Sequence, residues 1–283
     1  MAKTQSTEVA VKAAGALAMP DFMDPADFGG GFEGAGKDSY AIPFLQILQK
    51  MSPIVDEDSP KHIPGAKAGM ILNTVTQKMH DVREKPLQII PCAYKNTFIL
   101  WGARDGDGGF KGEVTPEKME EIIQSGAVEN VDGRWLVKDA NGNTDPKKSD
   151  YYADTRSHYV IAIDPDTGEQ SMAILSLSSS QIKASKTLMT MLQQRKVDVG
   201  GQKRTPPTFA NVVELTTVAQ SNDKGSWAGA AFKIVGLVTD PDLYAAARDF
   251  NIAVRDGAAK ADYSKSADAG ENVSSKPADA ENF

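Results

Sequence analysis

The chain has 283 residues, 31 Lys and Arg against 38 Asp and Glu, a formal net charge of −7 and a single cysteine, Cys92. This length holds one elaborated domain or two small ones, and one cysteine with three scattered histidines excludes an internal disulfide and any finger, ribbon or HExxH metal centre. No apolar run reaches the ~18 residues of a membrane span and the first residues lack a secretory signal's apolar stretch, so a cytoplasmic chain without membrane contact or cofactor is expected.

Residues 1–37, rich in Ala, Gly and Asp, read as a disordered arm. Pro43 to Lys50 reads as a short helix. Leu87–Tyr94 and Thr97–Trp101 are apolar, aromatic runs that form a hairpin or one bent strand, and Pro91 marks a bulge or an edge. Thr115 as N-cap with Pro116 at the first position opens a helix that stops at Ser125-Gly126. Arg134–Lys138 is a short strand, and Ser157–Ile163 with Gln170–Leu177 flank the turn Asp164–Gly168, the clearest hairpin in the chain. Ser178–Ser180 reads as the N-cap of the longest helix, Ser179 to Lys196. Asn211–Ala219 and Trp227–Val238 pair as closing strands, and a last helix runs from Asp240-Pro241 to about Val254. Residues 257–283 are almost devoid of apolar groups and read as a disordered acidic tail.

This order predicts a mainly β, α+β domain over residues 38–256: an elaborated OB-fold-like β-barrel with a long helix before the closing strands. No internal repeat, Walker A, GxGxxG or GxSxG motif occurs, and Asp105–Gly109 imitates a calcium loop without its closing Glu, so no enzyme is expected.

Charge is unevenly spread. Each end carries a net −2, leaving −3 for residues 38–256, yet residues 178–204 hold six cations and one acid. On the 179–196 helix, Ile182, Leu188, Met189 and Leu192 form one stripe, and Lys183, Lys186, Thr190, Gln193 and Gln194 lie opposite without a carboxylate. Arg195, Lys196, Lys203 and Arg204 continue the run, and such cations beside hydroxyls and amides suit phosphate oxygens. Plain solvation of a helix face explains the same pattern without a ligand. On the strands, Trp101, Trp135, Tyr151 and Tyr152 are interleaved with Lys95, Arg104, Lys111, Arg134 and Arg156, a mixture that can stack bases and hold their phosphates. Trp101, Tyr151 and Tyr152, beside Gly-rich or charged loops, are the first candidates for stacking. The final Asp279, Glu281 and Phe283 place carboxylates and one ring at the free end, a composition suited to docking in a basic-rimmed pocket.

Ile42–Pro53, Gly65–Ile71, Asn73–Thr76 and Ile90–Tyr94 resemble a group of bacteriophage proteins from replication gene clusters that are assigned as single-stranded DNA-binding proteins. The resemblance spans roughly residues 40–112, and the tail is similar to the acidic, Phe-ending C-termini of such proteins, although Lys260, Lys265 and Lys276 dilute its acidity. It implies coating of single-stranded DNA without sequence choice during phage replication or recombination, in the cytoplasm of the infected bacterium. It also implies a tail that recruits a polymerase or helicase-primase. A strand-annealing recombination protein and a non-enzymatic phage structural or host-interaction protein remain as alternatives, and a homodimer stays open.

Overall fold

The computed structural model describes residues 41–266 except 104, 107 and 224, the backbone alone of Lys265, and the isolated positions Asp24, Ala26, Gly30, Gly31 and Glu33. The chain begins with three short strands, β1 (Leu45–Ile47), β2 (Ile71–Asn73) and β3 (Met79–His80), in a small antiparallel sheet. The first corrects the helix expected over Pro43–Lys50. Its apolar residues are divided among three clusters, Phe44 in one, Leu45 and Ile47 in a second and Leu48 in a third, and Phe44 and Leu45 reach opposite sides as neighbours on an extended chain do.

The eight-stranded main sheet starts with β4 (Leu87–Trp101) and β5 (Phe110–Val114). Helix α1 (Pro116–Gln124) follows, with the Thr115 hydroxyl accepting from the Lys118 amide at 3.3 Å as expected of its cap. Next come β6 (Val128–Val131), β7 (Arg134–Val137) and the hairpin of β8 (Tyr151–Ile163) with β9 (Gln170–Ser178). Helix α2 (Ile182–Gln194) leads into a separate two-stranded hairpin, β10 (Val197–Val199) with β11 (Gln202–Arg204). The sheet then ends with β12 (Asn211–Asn222) and β13 (Gly225–Leu237), and α3 (Pro241–Arg255) follows. The order is β13-β12-β4-β8-β7-β6, with β5 beside β4 and β9 beside β8. The sheet curls into a half-barrel, and the mainly β, α+β, barrel-like class expected from sequence is the one that forms.

One residue sets which side chains face which core. Between Pro91 and Ala93 the β4–β8 register shifts, and Cys92 is the extra residue of a bulge. The shift reverses the in–out parity of everything after it. The bulge is held from outside: Asn251 of α3 donates to the Cys92 carbonyl at 2.7 Å. On that face Ile90, Ile99, Trp101, Tyr159, Ile161 and Ile174 pack under Leu243, Ala247, Phe250 and Val254 of α3. On the other face Leu87, Ile89, Val160, Leu175 and Val213 pack against Leu188 and Leu192 of α2 and against Leu45 and Ile71 of the small sheet. Burial of each such side chain stabilises by about 1.5–3 kcal/mol.

The structure extends past residue 256. After α3 the chain returns over the first core, with Ala259 and Ala261 packed on it and Tyr263 only 3% exposed. The Tyr263 hydroxyl shares a 2.5 Å hydrogen bond with Ser157, and its ring lies 5.5 Å from Phe44 and 5.9 Å from Phe110. The boundary drawn at 256 from composition is therefore corrected to at least Ser266, because one buried aromatic suffices to anchor a polar segment.

Between the free edges of β9 and β13 the curl is bridged by other means than a ladder. Pro43-Phe44 lies along β9, with the Ile174 amide donating to the Pro43 carbonyl at 2.8 Å. On the β13 side two glutamines stand in for a strand. The Gln49 amide donates to the Ala228 carbonyl (3.1 Å) and accepts from the Ala228 amide (2.9 Å). Gln181 donates to the same carbonyl (2.8 Å) and accepts from the Ala230 amide (2.9 Å).

Candidate nucleic-acid interface

Helix α2 is built to show one face. Ser185, Leu188 and Leu192 are buried against the sheet, and the Ser185 hydroxyl shares a 2.8 Å hydrogen bond with His158 Nε2. Burial holds the His158 imidazole neutral, with its pKa pushed down to about 4. Lys183, Lys186, Thr187, Thr190, Gln193 and Gln194 consequently lie in solvent, as the apolar stripe predicts. The Thr187 and Thr190 hydroxyls donate to the Lys183 and Lys186 carbonyls at 3.0 and 2.9 Å, which leaves their lone pairs outward.

The β10–β11 hairpin prolongs this face. Lys196, Lys203 and Arg204 are exposed and Arg195 is half-buried. The turn is self-contained: Gly200 and Gly201 have φ of 60° and 82°, and Asp198, the one acid of residues 178–204, accepts from the Gly201 amide at 2.9 Å. Lys196 Nζ donates to the Thr205 hydroxyl at 2.5 Å, which in turn donates to the Gln193 carbonyl at 3.2 Å, tying hairpin to helix. Among the described residues no carboxylate pairs with Lys183, Lys186, Arg195, Lys196, Lys203 or Arg204. The helix alone extends this basic arm over about 20 Å. Its start differs from the expectation. Ser178 makes no capping hydrogen bond and Ser179 sits at φ 51°, in the left-handed region, while Gln181 is engaged with β13.

The sheet residues expected to join this site are not brought together. Trp101 is 6% exposed and packs with Phe110, which corrects it from a base-stacking candidate to a core residue, and Tyr151 is half-buried against the same core. Arg134 lies 5.1 Å over the Tyr151 ring, and Lys95 lies 5.6 Å over Tyr159, also on that face. Trp135 and Tyr152, half-buried cross-strand partners, lie on the opposite face with Arg156. Arg156 donates to Asp154 at 2.7 Å and to the Tyr94 hydroxyl at 3.0 Å. Burial opposes its charge, and these two partners outweigh it and raise its pKa. Lys111 is likewise neutralised by Asp150 at 2.8 Å. Arg104 and the tail residues Asp279, Glu281 and Phe283 lie outside the described residues.

Residues 11–260 match a family model described as Pam3 phage gp34-like protein, which takes in the main sheet, the basic arm and α3. The chain belongs to the Pam3 phage gp34-like family. No curated protein and no solved structure matches it. The bacteriophage origin expected from sequence thus holds at the level of the family. In this family member no helix among the described residues is long and apolar enough to cross a membrane.

Sequence reading missed a second set of polar residues, at the gap between β9 and β13. Gln49 and Lys50 meet Gln181, Ser226 and Trp227 there, with Lys50 Nζ donating to the Ser226 hydroxyl at 3.1 Å across a separation of 176 residues. No local pattern announces a contact at that range.

Proposed function

We propose that this phage protein binds single-stranded DNA without sequence choice, as a non-enzymatic coat during replication or recombination. The observation that carries this reading is the projecting arm of six cations without carboxylate partners among the described residues, in a chain whose net charge is −7. A cation that makes no ion pair within the protein attracts polyanions. The side-chain amides of Gln193 and Gln194, exposed on the same face, add neutral donors for phosphate oxygens without reading bases. Backbone-dominated binding of this kind is sequence-tolerant and strongly salt-dependent. The C-terminal Asp279, Glu281 and Phe283 supply the contact for replication proteins such as a polymerase or helicase-primase. Gel shift with an oligo-dT strand at low and raised salt tests the DNA reading, and absence of binding at low salt overturns it. Deleting residues 277–283 is expected to leave DNA affinity equal or tighter while abolishing capture of the replication partner; weakened DNA binding contradicts the role given to the tail.

A further inference from the structure

The gap between β9 and β13 holds a cavity of about 340 Å³. Its chemistry is distinctive for an acidic protein, since among the described residues no carboxylate lines it. The wall on one side is Gln49 and Lys50; on the other are Ser178, Gln181, Ser226 and Trp227. Among the described residues that line it Lys50, held by Ser226, is the one cation, and the Trp227 indole lines the same cavity from the other side. The indole is fixed by donating from Nε1 to the Gln220 side chain at 2.8 Å.

We infer that this cavity receives one nucleotide of the bound strand, its base on Trp227 and its phosphate on Lys50. The inference rests on the DNA reading and adds a base site to it. Three features favour a nucleotide. The volume falls in the range of small-ligand sites, roughly 300–1,000 Å³. An aromatic face stacks any base, and serine hydroxyls both donate and accept, so the pocket tolerates every base edge. The wall is also continuous with the arm: Ser178, Ser180 and Gln181 line the cavity, and this segment leads directly into α2, which carries Lys183 and Lys186. The left-handed Ser179, at φ 51°, sits in that shared segment, and backbone held in such a conformation is concentrated at binding sites.

The test uses the full chain and a labelled oligo-dT strand, with anisotropy for affinity and tryptophan fluorescence for the site. DNA is expected to quench the wild-type signal and to leave Trp227→Phe, which retains Trp101 and Trp135, nearly unquenched. Trp227→Ala is expected to weaken binding at least about fivefold. Lys50→Ala is expected to lower the salt slope by about 0.7, and Lys50→Arg to restore it. Melting curves check that each variant folds, and if Trp227→Ala does not, the Phe and Lys50 variants decide. Full quenching in Trp227→Phe together with an unaltered slope in Lys50→Ala overturns the base site while leaving the arm intact. No binding by the wild type overturns both readings. Quenching by a free peptide of residues 267–283, which follow Ser266 at the cavity rim, without quenching by oligo-dT, gives the cavity to the protein's own C-terminus and overturns the proposal.

Discussion

Replacing Lys183, Lys186, Arg195 and Lys196 by Ala removes four of the six arm cations and leaves Lys203 and Arg204. Each cation that neutralises a phosphate of a single strand contributes about 0.7 to the slope of log affinity against log salt. The six arm cations together contribute a slope of about −4, so a rise from about 50 to 200 mM salt weakens binding by roughly 300-fold through the arm alone. The two that remain contribute about −1.4, and through them the same rise costs only about sevenfold. The difference survives even if absolute affinities vary, because it is read within each protein. Folding is spared: Lys183 and Lys186 are exposed on a helix, where Ala is the best helix former, and Lys196 loses a single hydrogen bond to Thr205. Fluorescence anisotropy of oligo-dT at five salt concentrations measures both slopes. A quadruple variant that binds with the wild-type slope removes the arm from the site.

Three further outcomes test the fold around the site. The His158 imidazole refuses a proton until about pH 4, while an unfolded one accepts it near 6.5. The unfolded state thus binds more protons in that window, and stability falls with pH by about 2 kcal/mol between pH 7 and 5. Urea titrations at both pH values should show this loss shrinking in His158→Gln, and an equal loss places the titration elsewhere. Tyr263→Ala should cost about 3–5 kcal/mol by opening a cavity against Phe44 and Phe110; a near-neutral Tyr263→Ala refutes the anchoring role. Gln181→Ala strips the Ala230 amide of its acceptor and should destabilise by about 1–3 kcal/mol in chemical denaturation, with no loss if another strand group takes its place.

Elements with strong local chemistry were legible in the sequence. Thr115-Pro116 and Asp240-Pro241 mark their helix starts to the residue, and Pro91 announces the β4 bulge. The outward face of α2 follows from its apolar stripe. What failed depends on distance along the chain. Pro43–Lys50 has helix-like apolar spacing, but its place between β9 and β13 makes it extended. Trp101 and Tyr151 looked available because they border loops, whereas pairing across β4 and β8 places both on the core beneath α3. Tyr263 is one aromatic in a polar segment, and nothing near it in sequence signals Ser157, 106 residues away.

The glutamine bridge explains how such a cavity can exist in a β protein at all. Closing the ladder with a further strand would fill the gap between β9 and β13, and leaving the edge bare would expose unpaired amides to any extended chain. Gln49 and Gln181 avoid both. Their side chains satisfy the Ala228 and Ala230 backbone groups, and their backbones stand far enough away for about 340 Å³ of space to remain. Replacing either by an apolar residue of similar size removes the partner without removing the gap. The cost to stability and any cost to ligand binding then arise at one place, so a Gln49→Met chain that melts early yet quenches normally with DNA separates the bridge from the base site.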